Sequence, residues 1–160
     1  MSKAFTRESD ESDETPIFRQ TVPVGVTNYI TREGAERLRV RLETLIARKQ
    51  AGDGDQRKLE STIRNLQLTL NSVVVAGIPT DREKVAFGAT LELRHANGEE
   101  ETYRIVGIEE ADPERGEISW ISPLARALMS KRVGEKARFR SPAGDEELEI
   151  LSIGYDEKGL

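Results

Sequence analysis

"ARKQAGDGDQRKLE", residues 47–60, is a polar turn carrying Gly52 and Gly54, with leucine-spaced sequence on both sides of it. Upstream, Leu38, Leu42 and Leu45 recur at spacings of four and three; downstream, Leu59, Ile63, Leu66 and Leu70 repeat at four, three and four. A helix returns to the same face every 3.6 residues, so each set predicts one buried stripe of one helix. Neither stripe has another apolar partner close in sequence, and a short polar turn between two helices packs them antiparallel. The turn therefore predicts a short coiled-coil hairpin. Thr31 suits the N-cap of the first helix, which is expected over residues 32 to about 50. At ~1.5 Å per residue, such helices reach only about 25 to 30 Å.

The same turn carries two exposed carboxylates, Asp53 and Asp55, which are the candidate tip residues. Asp53-Gly54-Asp55-Gln56 reads as an N-cap with glutamine three residues on, opening the second helix. It is not an EF-hand, because the glycine and the later ligands miss the required spacing. Around the turn the sequence is locally basic: Arg41, Arg48, Lys49, Arg57 and Lys58 form a candidate basic face for nucleic acid or an acidic protein surface. Ion pairs at helical spacing on a solvated face account for the same charges.

Composition narrows the chemistry. The chain has 160 residues, 36% of them apolar and 33% charged. That suffices for one domain, or two small ones, with a modest core. There is no cysteine, which excludes disulfides, thiolate catalysis and cysteine-ligated metals, and the single histidine, His95, cannot build a histidine metal site. No run approaches a membrane span and nothing near the start reads as a signal sequence, so a soluble cytoplasmic protein is expected. "ESDESDE", residues 8–14, lies in a segment with Pro16 and Pro23, and residues 1–27 read as a disordered acidic arm. Its charge opposes that of the hairpin, which it could cover.

After the second stripe the period changes. "VVVAGIP", residues 73–79, reads as a linker, and beyond it strands alternate at period two. "VAFGATLEL" and "EETYRIVGI" flank Asn97-Gly98, a two-residue hairpin signal. "EISWIS" reads as a further strand, and "KARFRS" with "EELEILSIGY" as a second hairpin. Within residues 122–135, Pro123 suits the first turn of a short helix, with Leu124, Leu128 and Met129 on its apolar side and Gly134 past its end. The prediction is α+β: an antiparallel hairpin over 28–76, then a mostly antiparallel sheet domain with one short helix over 77–160.

"NYITREGAERLRVRLETL", "KVAFGATLEL", "TYRIVGIEEAD", "ISPLARALMSKRVGE" and "SPAGDEELEILSIGY" together resemble the bacterial GreA/GreB transcription elongation factors, GreB more than GreA. The resemblance implies an N-terminal antiparallel coiled coil and an FKBP-like C-terminal domain. In that family the C-terminal domain docks at the rim of the RNA polymerase secondary channel. The coil enters the channel and its acidic tip helps hold a metal ion that hydrolyses backtracked RNA. On this resemblance Ser122, Pro123, Ala125 and Arg126 match the polymerase-contacting element, although Ile121 stands where Asp or Asn is typical.

The family's tip string, Gly-Asp-x-x-x-Glu-Asn-Ala, is missing. The coil is shorter by about ten residues per helix, or ~15 Å. A carboxylate that far short cannot hold or polarise anything at the metal. The expectation is a secondary-channel-binding factor with weak or no cleavage stimulation. It would have no catalytic residue, metal or cofactor of its own, RNA polymerase as partner, indirect contact with nucleic acid in the elongation complex, and no small-molecule substrate or membrane; DNA binding, with direct electrostatic contact through the basic hairpin, is a rival reading. Two alternatives stand beside it: a non-cleaving competitor similar to the regulators of nucleoside diphosphate kinase, and an FKBP-like prolyl isomerase using Phe87, Tyr103, Trp120 and Phe139.

Overall fold

The protein is described by a computed structural model covering residues 22–156. The acidic block and most of the arm predicted over 1–27 lie outside the described residues. Helix α1 runs Arg32–Gln50 and helix α2 runs Gln56–Ser72. Thr31 is the N-cap of α1: its backbone is extended and its hydroxyl oxygen accepts from the Gly34 N–H at 2.9 Å. The chain reverses over residues 51–55, where Gly52 has φ +70° and Gly54 φ +87°. Both are left-handed, a conformation that side chains resist. The two stripes meet as the periodicity requires. Leu38, Leu59, Ile63 and Leu66 are buried, with Leu42, Leu45 and Leu70 half-buried beside them.

Residues 73–75, expected as linker, are instead strand β2 (Val73–Val75), paired in parallel with β1 (Asn28–Ile30). The three valines leave the helix because β-branched side chains fit an extended backbone better than another helical turn. Three-residue strands are too short to show an alternation, so this pairing of the chain's entrance to the hairpin with its exit is invisible to pattern reading. It closes the hairpin at its root. Ile30 is fully buried there with Ala35, Leu38 and Leu66.

The rest is a five-stranded sheet in the order β5-β4-β3-β7-β6. Its strands are β3 (Ala89–His95), β4 (Glu100–Val106), β5 (Glu117–Ser119), β6 (Lys136–Ser141) and β7 (Gly144–Tyr155). All neighbours are antiparallel except β4 and β5. Between β3 and β4 the His95 N–H donates to the Glu99 carbonyl at 2.8 Å, and Gly98 takes the left-handed position. That bond encloses residues 96–98, one more than the two-residue turn expected. Strand β5 stops at Ser119, short of the expected "EISWIS".

Helix α3 (Pro123–Leu128) covers the core through Ala125 and Leu128, which pack with Leu91, Leu93, Ile105, Leu148 and Ile150. It ends well before Gly134, which turns the chain into β6 at φ +86°. Among the described residues no helix is long and apolar enough to cross a membrane.

Candidate functional site: hairpin tip, docking turn and junction

At the tip, the residue that caps α2 is Asp55, not Asp53. Its carboxylate accepts from the Arg57 N–H at 3.0 Å and the Lys58 N–H at 3.1 Å, while Gln56 turns back toward the Gly54 carbonyl at 3.4 Å. The capping-box pattern puts the cap two residues early, because Asp53 and Asp55 are both followed by residues a cap tolerates and only the left-handed Gly54 between them decides. Asp53 instead accepts from Arg48 Nε at 3.4 Å, an exposed contact. Both tip carboxylates are thus engaged within the turn itself.

Four of the five predicted basic residues gather at the same end. Lys49 pairs with Glu60 across the helices at 2.9 Å, and hydrogen bonding to Lys49 holds the Glu60 carboxyl below the usual range. Arg57 and Lys58 occupy the first turn of α2, and Arg41 lies two turns back along α1 from Arg48, on the same side. Arg41, Arg57 and Lys58 have no ion-pair partner among the described residues. Arg41 also lines a shallow groove along α1 with Arg32, Glu33, Glu36, Arg37 and Val40. Among the described residues no group of three or more acidic or histidine side chains could hold a metal ion.

The second predicted element lies on the sheet domain. Ser122 caps α3, its hydroxyl oxygen accepting from the Ala125 N–H at 3.2 Å. Pro123 fills the first helical position, where no N–H is needed. Ala125 is fully buried, so it cannot present itself to a partner; Pro123 and Arg126 are exposed, and Ile121 and Ser122 are half-buried. The surface this element offers is therefore Pro123 and Arg126.

Apart from the tip and the Ser122-Pro123 turn there is a polar junction that no sequence motif marks. Glu110, from a 3-10 turn at Ile108–Glu110, is buried, and its carboxylate accepts from the Thr31 N–H and the Gly107 N–H, both at 2.9 Å, and from the Thr31 hydroxyl. Arg37 of α1 reaches Glu110 at 3.7 Å and buried Glu117 at 4.0 Å. Arg104 of β4 bonds Glu33 of α1 at 3.0 Å, and that hydrogen bond is the main reason the Glu33 carboxyl sits below its usual range. Tyr29 of β1 packs against Phe87 and against Trp120, each with ring centres 5.9 Å apart. The one sequence signal is Gly34, a glycine in the first turn of an otherwise good helix.

Residues 79–155 match the family model described as transcription elongation factor, GreA/GreB, C-term. The elongation factor GreB of Neisseria meningitidis serogroup A is 38% identical over 154 residues, taking in 80% of this chain and 94% of the relative. The chain belongs to the GreA/GreB family of transcription elongation factors. A GreA from Thioalkalivibrio sulfidiphilus is 39% identical over 112 residues, 68% of each chain. Among solved structures, GreA factor homolog 1 of Thermus thermophilus is 25% identical, with coverage of 81% of this chain and 99% of that one and a TM-score of 0.42. The GreB match runs over 154 aligned positions yet takes in only 80% of the 160 residues of this elongation factor, so part of that relative faces no residue here.

Proposed function

We propose that this factor docks on RNA polymerase at the mouth of its secondary channel and occupies the channel without stimulating transcript cleavage. The sheet domain, residues 77–160, is the docking body, with Pro123 and Arg126 as its contact surface; the hairpin, residues 28–76, is the arm that enters. The observation that carries the reading is the tip. Asp55 caps the second helix through Oδ1 and Asp53 makes only an exposed contact to Arg48, at the end of helices of only 19 and 17 residues. The capping oxygen of Asp55 takes both backbone N–H groups, and drawing it away from them costs about 1 kcal/mol before any metal is bound.

The aligned positions missing from this chain support a shortened arm, since a hairpin is the element that can lose residues from both helices and keep its stripe. Arg57 and Lys58 at the tip and Arg41 midway along α1, free of ion pairs among the described residues, give the arm cationic groups suited to an acidic protein surface or to RNA phosphates. The isomerase alternative draws less support, because Phe87 and Trp120 are spent on Tyr29.

The test is the rate of RNA shortening in a backtracked polymerase complex given a fixed sub-saturating amount of a full-length Gre factor and rising amounts of this protein. A falling rate is expected. A rising rate would mean the tip works at the metal, and an unchanged rate at saturating concentration would remove polymerase docking.

A further inference from the structure

We propose that Glu110 is a positioning residue: it completes the N-terminal cap of α1 from the sheet domain and thereby fixes the direction in which the hairpin leaves that domain. In a capping box, the N-cap side chain accepts from the N–H at the third helical position, and a Glu at that third position reaches back to accept the N-cap N–H. Here Thr31 does its half, accepting from Gly34. The third position holds glycine, and the carboxylate that accepts the Thr31 N–H comes from Glu110, 79 residues along the chain. The box is split between two parts of the fold, so the first turn of α1 is fully capped only when the hairpin sits in this orientation.

The glycines show that the contact is built rather than incidental. A Cβ on Gly34 would lie 2.1 Å from Glu110 Oε1, so any other residue there would expel the carboxylate. A Cβ on Gly107 would lie 2.5 Å from the Tyr29 carbonyl and 3.0 Å from Glu110 Oε2. Glycine inside a helix costs about 1 kcal/mol relative to alanine, and the three atoms nearest to a Cβ built on Gly34 all belong to Glu110. Gly34 thus makes room for the carboxylate and Gly107 chiefly for the Tyr29 backbone beside it, around a side chain that is 2% exposed and takes three hydrogen bonds. A buried carboxylate left without those donors is strongly unfavourable, so the orientation that supplies them is selected over others. Tyr29 adds a second hold, against Trp120, two residues before the docking turn.

The clamp stands on geometry alone; its consequence for polymerase rests on the proposed function. Because the native chain has no cysteine, Gln50→Cys and Glu99→Cys place one spin label near the tip and one on the far loop of the sheet domain. The distance distribution between them is measured in this background and with Thr31→Val, Thr31→Ser, Glu110→Gln or Gly34→Ala added. Thr31→Val keeps the shape but removes the hydroxyl that both accepts from Gly34 and donates to Glu110; Thr31→Ser keeps that hydroxyl.

The distribution is expected to widen at least twofold with Thr31→Val, Glu110→Gln and Gly34→Ala, with helical ellipticity retained, and to stay narrow with Thr31→Ser. Unchanged widths in Thr31→Val and Gly34→Ala would overturn the clamp, as would loss of the helical signal in both, which would make the site a plain folding contact. In the competition assay Thr31→Val is expected to need several-fold more protein for half-effect. Failure of the parent protein to compete at all would remove the polymerase reading while leaving the distance result intact.

Discussion

Leu66→Ala separates the two cores of this protein. Leu66 is buried on α2 in a cluster with Ile30, Ala35 and Leu38, edged by Leu42, Leu45, Leu70 and Val73, and none of these belongs to the cluster around Leu91, Ile105 and Ile150. Truncating a buried leucine to alanine costs about 2 to 5 kcal/mol, depending on how well the site collapses. The hairpin core is one layer of side chains between two helices with solvent close on both flanks, so the low end applies, about 2 to 3 kcal/mol. Native-state hydrogen exchange reads that loss locally. At about 1.4 kcal/mol per tenfold, amides in the middle of α1 and α2 are expected to lose about 30- to 150-fold in protection. Amides of β3 and β7 keep theirs. An equal loss in both places would refute the separation and show one cooperative unit; no loss in the helices would show that Leu66 is not a core residue.

Asp55→Ala is expected to lower stability by about 1 kcal/mol in urea unfolding, as loss of a helix cap does, while Asp53→Ala stays within about 0.5 kcal/mol because it removes only an exposed ion pair. Equal effects would show that the cap is misassigned. Burial first, then the hydrogen bond to the Glu101 carboxylate, pushes the Tyr103 hydroxyl up to about 12. The unfolded chain releases that proton near pH 10 and the folded chain holds it, so stability falls as pH rises from about 10 to 12. Tyr103→Phe should flatten that part of the urea-midpoint profile, and an unchanged slope would contradict the assignment. Arg126→Glu is expected to leave the melting temperature unmoved and to raise the half-effect concentration in the cleavage competition about tenfold, the equivalent of about 1.4 kcal/mol.

The elements that declare themselves in the sequence are those whose pattern is local. The leucine stripes, the Thr31 cap and the Ser122-Pro123 cap each need only residues within about three helical turns, and all appear in place. The β1–β2 pair is hidden because each strand is three residues long and its partner is distant in sequence. The parallel direction of β5 is hidden because nothing in "EISWIS" encodes the direction of a neighbour. At the candidate site, Ala125 matches a docking element yet faces the core, because a six-residue helix has one buried side and sequence matching does not say which. Glu110 looks like one more acid in "GIEEADPE"; only the fold brings it onto Thr31.

The hairpin is also a lever. At ~1.5 Å per residue, α1 places its far end about 28 Å from Thr31, so a tilt of about 10° at the root would carry the tip sideways by about 5 Å. That displacement exceeds the length of a hydrogen bond. Small changes at a buried carboxylate, far from the charged end, are thus large changes in where that end points, and the root rather than the tip governs how well the arm is aimed.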